Sequence, residues 1–222
     1  TSYTFAGPVN PGSPKGVIVT VVHGGIATDI VSAITYGGVA LVEQVQQSDT
    51  AGELGRAEIW FLGSGIPTGN QNCVATCTTS TADVHFMCIT VEATETTTAV
   101  VTAVADTQNQ NEANPQITAV QLPKGGAVAF GVIANYYGGG APGTAGANTT
   151  KISTDAVSDL GNFAAFVGWE TSTTSSTDVA LNITQVADDE ATVAINIKEV
   201  AGGAATWGPL LGLFNNRLVV VN

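Results

Sequence analysis

Ile34-Thr35-Tyr36-Gly37-Gly38-Val39-Ala40-Leu41 is the stretch that decides the fold. Two runs rich in β-branched, aromatic and small apolar residues meet at Gly37-Gly38. A glycine pair suits a two-residue hairpin turn, because both central positions then take positive φ at no steric cost. Downstream, Ala57-Glu58-Ile59-Trp60-Phe61-Leu62 reads as a strand with an aromatic anchor. Ile66-Pro67-Thr68-Gly69-Asn70-Gln71 reads as a turn that launches the next strand. The pattern is a meander of short antiparallel strands with no site chemistry built into it.

The same rhythm runs outward in both directions. Residues 16–23 alternate so that Val17, Val19 and Val21 share one face. Strands are expected at 28–36, 39–45, 56–62, 70–78 and 83–93, then at 116–122, 126–136, 163–169, 179–185 and 192–200. A shorter one is expected near 96–101. Residues 44–53 and 106–115 read as polar loops, and 138–143 as a glycine-rich one. Helical periodicity is nearly absent and β-branched residues dominate. About ten short strands with Gly and Pro turns predict an all-β protein: a two-sheet antiparallel β-sandwich, jelly-roll-like, with an extended C-terminal arm. The sandwich is expected over 1–200. The arm or terminal strand is expected over 201–222, where Gly202-Gly203 precedes the apolar Trp207-Gly208-Pro209-Leu210-Leu211-Gly212-Leu213-Phe214.

Composition narrows the partners. Only 11% of residues are charged against 44% hydrophobic, so the chain can build a core but carries a polar, weakly charged surface. Such a surface suits a protein that buries its outside against neighbours or works outside cells. The net charge of −12 leaves six scattered basic residues and no basic patch, which argues against nucleic acid and anionic membrane as partners. Thr1-Ser2-Tyr3-Thr4 has neither the basic start nor the apolar segment of a secretory leader, and no apolar run is long enough to span a bilayer.

Candidate chemistry is thin. His23 and His85, each inside a strand, could pair with Asp29 or Asp83, but structural histidines are the simpler reading. Cys73, Cys77 and Cys88 form an odd set. Were 70–78 and 84–91 to form a hairpin, Cys73 would fall opposite Cys88, as a disulfide or metal pair. Buried free thiols are the preferred reading. Asp188-Asp189-Glu190 could hold Ca²⁺, but consecutive acids read first as a solvated turn. Glu92 and Glu95 lack the neighbouring aromatics that a glycoside-cleaving carboxylate pair would need. Trp60 and Trp169 sit in strand patterns and read as core, whereas Trp207 reads as an interface anchor. Asn148-Thr149-Thr150 and Asn182-Ile183-Thr184 match glycosylation sequons, which Thr-rich chains contain by chance. No catalytic residue, metal ligand or cofactor site is expected.

The Tyr36-Gly37-Gly38-Val39-Ala40-Leu41 block, Ile59-Trp60-Phe61-Leu62 and the Pro67-x-Gly69 turn resemble a β-sandwich module of tailed-bacteriophage virion proteins and bacterial surface proteins. The module reads "TYGGVAL", then "WYL", then "PTG". Residues 191–200 look like its closing strand, so the resemblance covers roughly 1–200. Ile-Trp-Phe-Leu here replaces its Leu-Trp-Tyr-Leu, and 201–222 lie outside it. The resemblance implies a virion structural protein, most concretely a capsid decoration (cement) protein, synthesised in the bacterial cytoplasm and resident in the virion. Its expected partners are the major capsid protein or other virion proteins and further copies of itself, for instance as a trimer. The anchoring elements would be the arm, with Trp207, Leu210, Leu211, Leu213, Phe214, Leu218 and Val220, and the N-terminal strand, with Tyr3 and Phe5. The competing reading is a tail, fibre or bacterial-surface module that binds glycans through 106–115 and 138–150.

Overall fold

The computed structural model describes residues 1–6, 14–24, 28–48, 55–79, 83–91, 99–112, 116–122, 127–135, 144–145, 150–151, 164–171, 177–184, 188–199 and 217–221. These form β1 (Ser2–Ala6), β2 (Gly16–Gly24), β3 (Val31–Tyr36), β4 (Val39–Ala40), β5 (Val42–Ser48), β6 (Gly55–Leu62), β7 (Asn72–Cys77), β8 (Asp83–Val91) and β9 (Ala99–Glu112). They continue with β10 (Gln116–Leu122), β11 (Ala127–Asn135), β12 (Thr144–Ala145), β13 (Thr150–Lys151), β14 (Ala164–Thr171), β15 (Thr177–Thr184), β16 (Asp188–Glu199) and β17 (Arg217–Val221). The protein is all-β and its pairings are antiparallel, with no helix among the described residues.

The deciding hairpin forms as the glycine pair dictates. Tyr36 pairs with Val39 and Thr35 with Ala40. Gly37 and Gly38 have φ of 55° and 84°, the two positive values of a type I′ turn. Leu41 then ends the short return strand. Its amide still donates to the Ile34 carbonyl at 2.9 Å, while Val42 already pairs with Phe61 of β6. One extended run therefore leaves the first sheet and enters the second at a single buried leucine.

From β1 to β8 the chain alternates between two sheets, ordered β1-β7-β3-β4 and β17-β8-β2-β6-β5. Between them lies a core that joins Phe5, Val17, Val19, Val21, Ile34, Tyr36, Trp60, Leu62, Cys73 and Phe86, among others. Phe5 and Phe86 stack across the gap with ring centroids 5.3 Å apart, and Tyr3 sits beside the same ring at 6.3 Å. The other face of the second sheet is buried as well, through Ile18, Val22, Ala57, Ile59, Phe61, Met87 and Ile89. There β16 and β11 lie against β6, and β16 and β9 against β5. Burial on both faces explains why 57–62 are apolar at every position but Glu58.

The described strands number seventeen in four sheets, where the sequence predicts about ten in two. The remaining sheets are β13-β14-β11-β16-β9 and the small β10-β15-β12. Two stretches expected as loops are in part strand. Residues 44–48 complete β5, and 106–112 are the second half of β9, which pairs along β16 from Glu112↔Asp188 to Ala99↔Glu199. Both are edge strands of their sheets, and an edge, open on one side, accommodates polar residues. Asp188-Asp189-Glu190 begin β16 rather than forming a turn, with Glu112, Asn111 and Gln110 opposite them. The hairpin envisaged for 70–78 with 84–91 does not form, since β7 pairs with β1 and β3 and β8 with β2 and β17. The terminal strand, expected as part of an arm for a partner, is the edge of the chain's own second sheet.

Candidate functional site

Alternation along β6 puts Arg56, Glu58, Trp60 and Leu62 on the face that looks toward the first sheet. The neighbouring strands add to that face through register. β2 sets His23 opposite Arg56, and β5 sets Ser48 opposite Arg56 and Glu43 opposite Trp60. A register shift between Glu43 and Val45 leaves Gln44 extra, which keeps both Glu43 and Ser48 on the Arg56 side. Asp29 arrives from the segment before β3, where its Oδ1 accepts a hydrogen bond from the Val31 amide at 2.9 Å.

These groups form one charged cluster at the end of the core. Arg56 Nε donates to Glu58 Oε1 at 2.7 Å, and Trp60 Nε1 donates to Glu58 Oε2 at 2.8 Å. Arg56 Nη1 donates to Ser48 Oγ at 3.0 Å. Arg56 Nη2 lies 3.6 Å from Asp29 Oδ2 and 3.8 Å from Glu43 Oε1. His23 Nε2 is 3.9 Å from Glu58 Oε1, with both side chains wholly buried. Burial pushes the Glu58 carboxyl up to about 7, against the opposing pull of the Trp60 and Arg56 hydrogen bonds. Glu43 is raised in the same direction, chiefly by burial and then by the nearby Asp29 charge.

Two chemistries can be weighed on this geometry. A carboxyl group that titrates near neutrality is what a general acid needs. Yet Glu58 is fully buried and both its oxygens accept internal hydrogen bonds, so a substrate atom has no approach to it. Asp29, Glu43 and Glu58 also offer carboxylate oxygens within 4.8 Å of one another, a spacing that could hold a cation. The Arg56 guanidinium already stands among them as the cation. The arrangement is a structural ion cluster that ties β5, β6 and the segment before β3 together.

The expected anchoring residues fall differently. Phe5 is a core residue, 3% exposed, and Tyr3 packs against the same core. Leu218 and Val220 lie on β17, opposite Met87 and His85 of β8. Trp207, Leu210, Leu211, Leu213 and Phe214 lie outside the described residues, as do Glu92, Glu95, Asn148 and 138–143. Trp60 is core, as expected, and Trp169 pairs with Phe130 within β14. Asn182 stands within β15 opposite Gln116. The cysteines are free and buried, as read from the sequence. Sequence reasoning missed the Arg56–Glu58 pair. Its signal was present: opposite charges two residues apart in an otherwise apolar strand, in a chain with few charges.

No family model, curated protein or solved structure matches the chain.

Proposed function

We propose that the chain is a structural protein of a tailed-bacteriophage virion, a capsid decoration protein that binds the outer shell and stabilises it. The observation that carries this reading is where the resembling residues fall. From the resembling blocks, Tyr36, Trp60 and Leu62 face one core with Val39 packed against it, and the polar cluster beside them is closed by its own arginine. On this reading the two sheets around that core are the jelly-roll-like sandwich of the module, and function lies in what the module presents. The presenting elements are the apolar segment around Trp207 and Phe214 and the outer edge of β17. An open strand edge can add to a neighbour's sheet through main-chain hydrogen bonds. Stabilisation then follows from mass action: copies that bind only the assembled shell, singly or as small oligomers, raise its stability with concentration.

The test is co-sedimentation of the purified chain with expanded shells of the phage that encodes it. Saturable, stoichiometric binding is expected, and cryo-electron microscopy should place the chain on the outer surface. A double variant, Trp207→Ala with Phe214→Ala, should lose binding while keeping its melting temperature. These substitutions are preferable to deleting 203–222, which would also strip β17 from the edge of β8. No binding by the wild type, or full binding by the double variant, would overturn the proposal. Retention on a glycan array would point instead to a tail or fibre module.

A further inference from the structure

Cys73 and Cys88 belong to different sheets yet share one core. Cys73 stands on β7 opposite both Phe5 and Tyr36, and Cys88 stands on β8 opposite Val19. Phe5 stacks on Phe86, which is two residues from Cys88 on the same face of β8. The two cysteines therefore flank the aromatic contact that holds the sheets together. Both are wholly buried and free, and the Cys88 thiol neighbours Cys73. Tyr36 adds a third polar group, since its buried Oη has no hydrogen-bond partner among the described residues and feels both sulfurs. Cys77 is excluded from this set. It lies four residues along β7 from Cys73, on the order of 13 Å away in an extended strand, well beyond the reach of a disulfide.

We propose that Cys73 and Cys88 are the two halves of an inter-sheet disulfide, formed by exchange with a small-molecule disulfide such as oxidised glutathione. One cysteine, as thiolate, attacks the glutathione disulfide, forming a mixed disulfide and releasing one glutathione thiolate. The second cysteine thiolate attacks the protein sulfur of that mixed disulfide and releases the second glutathione. The protein loses two electrons and two protons, and oxidised glutathione gains them as two molecules of glutathione. The neighbouring Cys73, and after it burial, hold the Cys88 thiol far above its ordinary range, so the folded, reduced pair is inert. Exchange therefore takes place while the core is open, during folding or through a transient parting of the sheets. The bond then requires the sulfurs to close to about 2.05 Å.

The experiment refolds the full chain from denaturant in oxidised or reduced glutathione buffer, followed by thiol alkylation, intact mass and peptide mapping. The oxidised product should carry one alkylatable cysteine, Cys77, and a cross-linked peptide joining Cys73 to Cys88. Its melting temperature should rise by about 5–10 °C over the reduced chain and fall back on reduction. Cys77→Ser should preserve the shift, whereas Cys73→Ala and Cys88→Ala should each abolish it. Three alkylatable thiols after oxidative refolding, a cross-link through Cys77, or an unchanged or lowered melting temperature would overturn the proposal.

Discussion

Glu58 is the residue on which the charge balance of this core turns. Folding lifts its carboxyl pKa from about 4.5 to about 7, so the folded state holds the proton more tightly than the unfolded chain. Its contribution to stability is therefore greatest at low pH and declines as pH rises through that window, by up to about 3 kcal/mol. Melting curves of wild type and Glu58→Gln should show the wild type losing ground to the variant between pH 5 and pH 8. A constant difference across that range would contradict the assignment. Arg56→Ala should cost more, roughly 3–5 kcal/mol, because it strands a buried carboxyl group and removes the cation from Asp29 and Glu43. The turn glycines separate in a similar way. An added Cβ at Gly37 would lie 2.7 Å from Gln71 Oε1 and 2.9 Å from Pro67 Cγ, while at Gly38 it meets open space. Both positions have positive φ, so Gly38→Ala should cost about 1 kcal/mol and Gly37→Ala clearly more, as read by urea denaturation.

Among the elements, β2 holds the most protected place. It pairs on both sides, with β6 and β8, and its residues from Val17 to Val22 are almost fully buried. Its amides should exchange with solvent most slowly of any described strand, at rates set by global unfolding. β17 pairs on one side only and should exchange faster. Hydrogen exchange read by mass spectrometry checks the order, and a β2 that exchanges as fast as β17 would contradict this layering. The same distinction accounts for the strands that the sequence hid. The stretches 44–48 of β5 and 106–112 of β9 lie on edges and are rich in Gln, Asn and acidic residues, so their hydrophobic alternation is weak and they resemble loops. The Tyr36–Val39 hairpin and β6 were legible because their turn chemistry and apolar content are local properties.

At the scale of the whole molecule, the second sheet is a shared layer. Phe86 faces the first sheet, and Ile59 faces the side where β16 and β11 lie. Phe86→Ala should cost about 3–5 kcal/mol and Ile59→Ala about 2–5 kcal/mol, since each opens a cavity in a covered face. A cost below about 1 kcal/mol for Ile59→Ala would mean that this face is not packed.

Sequence alone determined that the chain is all-β, where its main strands and glycine turn lie, and that its charges are few. These follow from period-two alternation and turn chemistry, which act over neighbouring residues. Alternation also sorts side chains to two faces of a strand, so Glu58, Trp60 and Leu62 were legible as companions. It does not say which sheet a strand joins or what covers either face. Those depend on pairings between segments far apart in the chain, whose register is decided by packing. Only the tertiary structure therefore broke the run after the hairpin at Leu41 and closed Arg56 among Asp29, Glu43 and Glu58. It also brought Cys73 to Cys88 across a core rather than along a hairpin.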